Sequence, residues 1–393
     1  MLMDKVGRQC CGCRACQVSC VRKAISFSTD SCGFEFPQID PTLCINCGMC
    51  ERGCPVLNSE KVKASRTVHI CGAARSKNSV VLQRSSSGGM FYTLAQQIFV
   101  ENGVVFGAAF DDDLKLKTIA AKNESEIIPL LKSKYLLCDT NDVIEKIKQY
   151  LLDGKPVLYC ATPCQIAAVR CSLGDCAGLI TVDFACHGVG NQKMFDESVD
   201  WYNQKHRGKL SKFIFRYKKR NAASSHYFSA TFNGKEKRDL YFEFPYYNAY
   251  CKQLVCRDSC YECRFADRKR CSDITIGDFH TVENYLQGID RMRGISMILC
   301  NTEKGKIFFE KIAGQIDFFP MEAEILYKNN RFGGAGAIPS DALRFRKWFQ
   351  RSSYAGETKK LLYSHSDSLK RAYYHMPGFL RKAAKRIMGR GKI

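Results

Sequence analysis

Eight cysteines near the start of the chain have the spacing that most directly indicates chemistry. They form two runs with the pattern C-x2-C-x2-C-x3-C, and the second run repeats the first at an offset of 34 residues. This pattern binds two 4Fe-4S clusters in two-cluster carriers, where the fourth cysteine of each run ligates the other cluster. We therefore predict cluster one on Cys10, Cys13, Cys16 and Cys54, and cluster two on Cys44, Cys47, Cys50 and Cys20.

Zinc is the alternative for these cysteines, because C-x2-C is also a zinc spacing. A zinc site closes with four ligands and does not need a third cysteine at the same interval, so the pattern favours clusters. Val21 replaces the usual proline after the first run and Cys11 is an additional thiol, but neither departure removes a ligand. The turn-forming segment 29–33 has β-type residues on both sides, which predicts a hairpin. We expect an α+β, ferredoxin-like two-cluster domain of bacterial type over residues 1–62.

Length and composition place these cysteines in a globular protein of two or three domains. The chain has 393 residues, of which 45% are hydrophobic and 23 are cysteine. It shows neither an apolar leader nor an apolar run long enough to span a membrane, so we expect a cytoplasmic protein whose thiols bind metal. The net charge of +21 overstates that of the loaded protein, because clusters held by thiolates are anionic. The chain has no recognisable nucleic-acid motif, so nucleic acid is not an expected partner.

A change of pattern near residue 69 predicts an α/β region, in which short apolar runs alternate with segments of helical periodicity. Polar residues 58–66 before it are typical of a linker. No G-x-G-x-x-G follows a strand, so a nicotinamide site of Rossmann type is not supported. The expected strands are 104–109, 156–159 and 179–184, and the expected helices are 90–100 and 143–152.

A loop of small residues, Ser85-Ser86-Ser87-Gly88-Gly89, directly precedes the first of these helices. Hydroxyl groups and free backbone N–H groups at a helix N-terminus suit an anion such as a cofactor phosphate. The alternative is an ordinary N-cap and loop without a ligand.

Further cysteines follow the predicted strands. Cys164 and Cys186 each come directly after a strand, and the carboxyl ends of parallel strands share one rim where ligands bind. Cys260 and Cys263 form another C-x2-C pair, with Cys256 and Cys271 nearby. Together these thiols predict a third metal site, whereas any one of them alone is as well explained as a buried structural thiol.

Several motifs, taken in order, resemble the coenzyme F420 hydrogenase/dehydrogenase beta-subunit family, in the bacterial branch with a fused N-terminal two-cluster ferredoxin. The resemblance extends from residue 1 to about residue 310. It depends on Arg84-SSSGG, Ser133-Lys134-Tyr135, Gly154-Lys155-Pro156-Val157, TPCQ at 162–165, CHGV at 186–189 and SDITIGDF at 272–279.

The resemblance implies an α/β flavin-binding domain in which FAD lies beside a further 4Fe-4S cluster. Flavin exchanges electrons singly or in pairs, so it suits a position between one-electron clusters and a two-electron substrate. The ligands implied for the third cluster are Cys164, Cys186, Cys260 and Cys263, with Cys256 and Cys271 in reserve. The residues implied for FAD are Ser86, Ser87, Gly88, Gly89, Lys134, Tyr135, Thr162, Gln165 and Asp278, where Lys134 would meet negative charge on the flavin or its phosphates.

Departures from the family pattern cluster around the substrate face that the resemblance implies, at Ala161, Gly190, Asn191 and His280. They leave open whether the second substrate is coenzyme F420. Bacterial relatives of this kind resemble proteins associated with surface-polysaccharide synthesis. His187 and His280 would suit proton relay near a flavin, although a structural hydrogen bond explains them equally well.

The last 33 residues are basic, and apolar pairs recur every four residues in PGFLRKAAKRIMGR, at 377–390. This pattern predicts an amphipathic helix that either contacts the inner face of the cell membrane or docks on the protein itself. Residues 216–220 are expected to be a solvated basic strand end. The predicted division is a ferredoxin domain at 1–62, the two parts of the flavin domain at 69–175 and 176–340, and a basic helical tail at 341–393.

Two functions fit these observations. The first is an iron-sulfur and FAD oxidoreductase that transfers electrons between an electron-donor or acceptor protein and a small substrate. The alternative is a non-catalytic subunit that delivers electrons to a partner enzyme through the same clusters.

Overall fold

The computed structural model describes residues 2–63, 68–218, 226–329, 332, 334–377 and 380–381. Its N-terminal part is built on a hairpin, in which Ile25 pairs opposite Ile39 in antiparallel register, as expected. The elements here are helices α1 (Leu2–Val6) and α2 (Ala15–Val18), strands β1 (Ile25–Thr29) and β2 (Glu35–Ile39), and helices α3 (Met49–Arg52) and α4 (Ser59–Lys63).

Helix α4 corrects the prediction of a linker. Its last residue, Lys63, is 3% exposed, and its ammonium group donates to the Asp267 carboxylate at 2.9 Å and to the Arg264 carbonyl. The sequence of this segment is polar, which is typical of a linker. The partners that allow it to be buried lie about two hundred positions further along the chain and are not visible in the local pattern.

The next region alternates strands and helices, as the apolar pattern predicted. Both predicted helices have the predicted bounds, and the three predicted strands agree to within one residue at each end. The elements are strand β3 (Ile70–Ser76), helices α5 (Ser79–Arg84) and α6 (Met90–Val100), strands β4 (Val104–Phe110) and β5 (Leu116–Ala121), helix α7 (Val143–Leu152), strand β6 (Val157–Cys160), helix α8 (Pro163–Leu173) and strand β7 (Leu179–Phe184).

The remaining elements complete this region and add a second sheet. They are helix α9 (Gln192–His206), strands β8 (Leu210–Ile214), β9 (Tyr227–Phe232) and β10 (Lys235–Leu240), helices α10 (Pro245–Cys251) and α11 (Asp258–Tyr261), strands β11 (Ile274–Asp278) and β12 (Ser296–Cys300), helix α12 (Glu303–Glu310), strand β13 (Ile316–Pro320), and helices α13 (Ala323–Asn329), α14 (Ser340–Ser352), α15 (Gly356–Leu362) and α16 (His365–His375).

Within the described residues, eight strands form one sheet in the order β13-β3-β12-β11-β7-β6-β4-β5. The four neighbours β11, β7, β6 and β4 are parallel, and the outer strands join them antiparallel. The carboxyl ends of the four parallel strands therefore share one rim. The sheet takes strands from both of the parts predicted at 69–175 and 176–340.

The second sheet, β10-β9-β8, is antiparallel and packs into an aromatic cluster. In this cluster the rings of Phe213 and Phe244 have centroids 4.4 Å apart. Phe345 and Phe349 of α14 are buried in the same cluster, so the first helix of the predicted basic tail packs into the core.

The amphipathic helix predicted over 377–390 lies outside the described residues, apart from Pro377, Leu380 and Arg381. In the part of the chain that the structure describes, no helix is long and apolar enough to cross a membrane.

Two buried ion pairs fix the elements next to the shared rim. Arg170 of α8 lies 2.6 Å from Asp273, and Arg270 lies 2.9 Å from Asp183 of β7. All four side chains are at most 2% exposed. Because buried charges need close partners, the first pair fixes α8 to the start of β11, and the second fixes the loop after residue 263 to β7.

Candidate electron-transfer site

The two N-terminal cysteine runs have the same backbone conformation at an offset of 34 residues. Gly12 and Asn46, the second residue after the first cysteine of each run, have φ values of +70° and +52°. Arg14 and Gly48, just before helices α2 and α3, have φ values of +61° and +70°. Left-handed residues at equivalent places turn each loop inward, so successive cysteines face a common centre.

The cysteines of these runs line two separate cavities. One cavity, of about 20 Å³, is lined by the predicted ligands Cys10, Cys13, Cys16 and Cys54, and also by Cys11. The other, of about 80 Å³, is lined by Cys20, Cys44, Cys47 and Cys50. Each cavity therefore collects three cysteines from one run and the fourth from the other, which is the crosswise grouping that the sequence predicts.

The two predicted clusters differ in exposure. Cys10, Cys16 and Cys54 are buried, whereas Cys47 is exposed and Cys44 and Cys50 are half-buried. Burial raises the pKa of Cys16 to about 12, with the neighbouring Cys10 and Cys54 adding to the shift. Free thiolates are unfavourable in such a buried site. Thiolates bound to iron fit it better, because the metal shares their negative charge.

The cysteines predicted for the third cluster lie close together. Cys164 is the second residue of α8, Cys186 follows β7, and Cys260 and Cys263 lie in and just after α11. Burial is the main cause that raises the pKa of Cys186 and of Cys260, and the nearby Cys164 and Cys263 raise both further. The reserve residue Cys256 also lies here, because a Cβ built on Gly188 would be 2.8 Å from its Sγ.

Cys11, which the sequence left without a role, lies between two of these sets. Its side chain packs in one cluster with those of Cys13 and Cys164. The thiols predicted for cluster one therefore adjoin those predicted for the third cluster. In the described part of the chain, no group of three or more His, Cys, Asp or Glu side chains surrounds a position for a single metal ion. In a 4Fe-4S cluster each thiolate binds a different iron, so the ligands surround a larger centre.

A cavity of about 340 Å³ lies at the carboxyl ends of the parallel strands. Cys160 ends β6 and Thr162 follows it, Cys186 and His187 follow β7, and Asp278 ends β11. This is the place where ligands bind in parallel α/β sheets, and the volume falls within the range of small-molecule sites. Because Cys186 lines it, the third group of thiols opens directly onto this cavity.

Most of the residues implied for FAD line this cavity, namely Ser86, Ser87, Gly89, Lys134, Tyr135, Thr162 and Asp278. Gly88 does not, since it packs behind the loop, where a Cβ would lie 2.5 Å from the Ala74 carbonyl oxygen. Gln165 is 3% exposed and donates to the Cys138 carbonyl at 3.0 Å, so it supports Thr162 from within the core.

Lys134 and Lys132 both lie at this cavity. The Lys134 ammonium donates to the carbonyls of Pro129 and Leu131 at 2.8 and 2.7 Å. Burial lowers the pKa of Lys134 to about 7. Burial also lowers the pKa of Lys132 to about 7, and the positive charges of Lys218 and Arg216 contribute. Two half-buried amines and a nearby guanidinium suit an anionic ligand.

Arg216 corrects the prediction of a solvated strand end. Its side chain is 12% exposed, and its guanidinium lies 2.5 Å from the Asp278 carboxylate on the cavity wall. Burial tends to lower the pKa of Arg216, but the adjacent Asp278 outweighs this and raises it. Lys132 and Tyr250 are further cavity residues that sequence analysis missed. For Lys132, the signal available in the sequence was its position two residues before Lys134.

The rings of Tyr135 and Tyr250 stack with centroids 4.3 Å apart and an interplanar angle of 17°. Both rings line the cavity, so they form an aromatic wall. His187 and His280 line it as well, and burial lowers the pKa of His280.

The donor set thus fits the implied groups: thiols in fours for clusters, and hydroxyl groups, cations and aromatic rings for a flavin. The fold and these sites define an iron-sulfur electron-transfer protein. Comparison with known proteins gives the family. Residues 154–324 match the C-terminal region of the family described as "Coenzyme F420 hydrogenase/dehydrogenase, beta subunit", and residues 36–59 match a 4Fe-4S binding domain. The resemblance to this beta-subunit family, with a 4Fe-4S domain at the N-terminus, is therefore confirmed.

Among solved structures, the chain is similar to one from the F420-reducing [NiFe] hydrogenase complex of Methanosarcina barkeri, determined after xenon derivatization. The two are 18% identical with a TM-score of 0.47, and the match covers 68% of this chain and 90% of that one. No curated protein matches the sequence.

Proposed function

We propose that this protein is an iron-sulfur flavoprotein oxidoreductase that transfers electrons between ferredoxin-type clusters and a two-electron substrate at FAD. One observation carries the proposal: the cavity at the carboxyl ends of the parallel strands is bordered by Cys186 of the third thiol group and by the cations Lys132, Lys134 and Arg216. A ligand site and a metal-binding group thus share one wall.

The residues of the cavity would bind a flavin in distinct ways. Hydroxyl and backbone N–H groups of Ser86 and Ser87, in the loop just before α6, suit phosphate oxygens. Lys132 and Arg216 would balance their negative charge, while the stacked rings of Tyr135 and Tyr250 would exclude water from an aromatic ligand. FAD, when bound, can accept a hydride and release electrons singly.

The thiols would hold three 4Fe-4S clusters. The crosswise grouping of the two cavities supports cluster one on Cys10, Cys13, Cys16 and Cys54, and cluster two on Cys20, Cys44, Cys47 and Cys50. The mutual proximity of Cys164, Cys186, Cys260 and Cys263 supports the third cluster.

Anaerobic purification with iron, acid-labile sulfide and flavin analysis tests the proposal. We expect about twelve iron atoms and one FAD per chain. Eight iron atoms without flavin would overturn it and leave a two-cluster carrier.

The substrate is proposed to be a small organic molecule whose identity depends on the face around His280. Coenzyme F420 is one candidate, and an intermediate of surface-polysaccharide synthesis is another. Anaerobic assays of F420 reduction with the loaded protein separate them, because loss of F420 absorbance requires that it bind and accept electrons.

A non-catalytic electron-transfer subunit is the second candidate, since the matched family is described as that of a beta subunit. In that case the loaded chain alone would show reducible clusters but no turnover with any small acceptor. A partner enzyme would restore turnover.

We also propose that the protein is cytoplasmic and that its basic C-terminal residues contact the inner face of the membrane. The basic pattern of 377–390 supports this contact. Flotation with anionic liposomes should retain the full chain more than a chain ending at Met376. Equal retention would remove this part of the proposal.

A further inference from the structure

Arg257 is a buried cation at the contact between the N-terminal domain and the rest of the protein. It immediately precedes α11 and is 1% exposed. Its Nε donates to the Cys10 carbonyl at 2.5 Å, and its Nη2 donates to the Glu35 carbonyl at 2.6 Å. The guanidinium carbon lies 4.3 Å from the centroid of the Phe36 ring. These contacts fix the plane of the guanidinium group.

The third nitrogen of this group, Nη1, is buried and has no hydrogen-bond partner among the described residues. Within the same residues, no carboxylate pairs with Arg257. A buried cation without a counter-charge, and a buried donor without an acceptor, are both unfavourable. The arrangement therefore calls for an anionic acceptor beside Nη1.

The loop of the first cysteine run lies beside this nitrogen. A Cβ built on Gly12 would be 3.3 Å from Nη1 and 3.4 Å from the guanidinium carbon. Gly12 stands between Cys10 and Cys13, which line the cavity predicted for cluster one. The positive φ of +70° at Gly12 and the absence of a side chain together permit this close approach.

Sulfur atoms of an iron-sulfur cluster accept N–H hydrogen bonds, and such bonds, with the local charge, set the reduction potential. We propose that Arg257 donates an N–H···S hydrogen bond to cluster one, at a sulfide or at the thiolate of Cys10 or Cys13, and raises its reduction potential. Reduction adds one electron to the cluster without a change in its bonds, and the arginine stabilises the more negative reduced state.

The second cysteine run offers an internal comparison. Its loop carries Asn46 where the first carries Gly12, and its Cys47 is exposed. Arg52, which donates to the Cys47 carbonyl at 3.0 Å, is itself exposed, so water screens its charge. The effect of a buried arginine is therefore expected at cluster one and not at cluster two.

The test is an anaerobic redox titration of the reconstituted full chain, followed by electron paramagnetic resonance, in the wild type and in Arg257→Met and Arg257→Lys variants. We expect one of the two ferredoxin-type transitions to shift in Arg257→Met by at least tenfold in its equilibrium constant, about 59 mV lower for a one-electron couple. The other transition should stay in place. Arg257→Lys should shift the same transition as Arg257→Met, but by less, since lysine keeps the charge but cannot reach both carbonyls and a sulfur.

Arg264→Met is the matched control, because Arg264 carries the same charge on a nearby exposed surface. It should leave both transitions unchanged. The proposal is overturned if Arg257→Met retains the wild-type iron content and both transitions. If Arg257→Met does not load iron, Arg257→Lys decides, and wild-type transitions in that variant overturn the proposal. The inference needs the cluster assignment but not the flavin, so eight iron atoms in the wild type would remove the proposed function without removing this role.

Discussion

Lys132 places an amine beside the cavity where its charge is disfavoured. Its ammonium donates to the carbonyls of Gln83 and Ser85 at 2.9 and 3.0 Å, which hold it next to the small-residue loop. Burial, followed by repulsion from Lys218 and Arg216, lowers the pKa of Lys132 to about 7. An anionic ligand would bind the protonated amine more strongly than the neutral one.

This gives flavin binding a predicted dependence on pH. The ligand prefers the protonated form, so affinity should be highest below pH 7 and should fall as pH rises through the pKa of about 7 in the ligand-free protein. Lys132→Gln should weaken FAD binding by about tenfold or more at pH 6 and flatten the pH profile. Fluorescence titration of the flavin-free protein measures both effects. Lys122→Gln, at an exposed lysine, is the control. The prediction is contradicted if the FAD affinity of Lys132→Gln varies with pH in parallel with that of the wild type.

The third thiol group gives a second prediction at this scale. Replacing Cys164 by serine should reduce the iron content from about twelve to about eight atoms per chain, because one cluster loses a ligand while the two N-terminal clusters keep all of theirs. Cys176→Ser is a suitable control, since the Cys176 thiol bonds the Leu173 carbonyl and lines none of the cavities described above. Full iron content in Cys164→Ser would remove Cys164 from the ligand set.

At the scale of elements, buried charges hold the loops that carry these cysteines. Arg270 donates to Asp183 of β7 and to the Phe265 carbonyl at 2.9 Å each, so a single side chain connects the strand before Cys186 to the loop after Cys263. Burial raises the pKa of Asp183, although Arg270 opposes the shift. Such a pair is costly to break, because either partner alone is a buried unpaired charge.

We expect Asp183→Asn to lower the free energy of unfolding by about 3–5 kcal/mol. By contrast, Glu324→Gln removes a pair with Arg268 in which both side chains are about half exposed, and it should cost less than about 1 kcal/mol. Anaerobic urea unfolding of the loaded proteins gives both values. Equal costs for the two substitutions would show that the buried pair is not a structural link.

The elements that could be predicted from sequence are those whose pattern is local. Helices α6 and α7 follow from apolar periodicity, and β6 and β7 follow from short apolar runs buried on both faces. Strand β3 was missed because its place between β12 and β13 depends on residues more than two hundred positions away. Helix α4 was missed for the same reason, since Asp267 compensates the charge of Lys63.

The candidate site also has residues that could be predicted from the local sequence and residues that could not. Cysteine spacing and strand-end position were sufficient to predict which thiols lie close together, because both are visible along the chain. Arg216 and Arg257 were not predictable, because each gains its role from a partner on another element, namely Asp278 for Arg216 and the Cys10 loop for Arg257.

For the whole molecule, the N-terminal domain is joined to the rest by packing as well as by Arg257. Phe36 of β2 packs against the core of its own domain and against the aromatic cluster of the larger body. The side chain of Asn191 donates to the Cys32 carbonyl at 3.1 Å across the same contact. The two parts are therefore expected to move as one body.

Phe36→Ala should loosen this contact. We expect the free energy of local opening of β1 and β2 to fall by about 2 kcal/mol, less than for a fully buried phenylalanine. Amide hydrogen exchange over residues 25–39 measures the change. The control is Val21→Ala, at a side chain that is 77% exposed, which should leave exchange unaltered. Unchanged protection in Phe36→Ala would mean that other contacts hold the two parts together.

The unequal burial of the two N-terminal cysteine runs has a consequence for survival in air. Molecular oxygen and its reduced products reach an exposed cluster first, and Cys47 is exposed while Cys10, Cys16 and Cys54 are buried. Oxidative damage should therefore begin at cluster two and release iron in steps, leaving cluster one intact for longer. Timed exposure of the loaded protein to air, with Mössbauer spectra taken at intervals, would show whether one N-terminal cluster outlives the other.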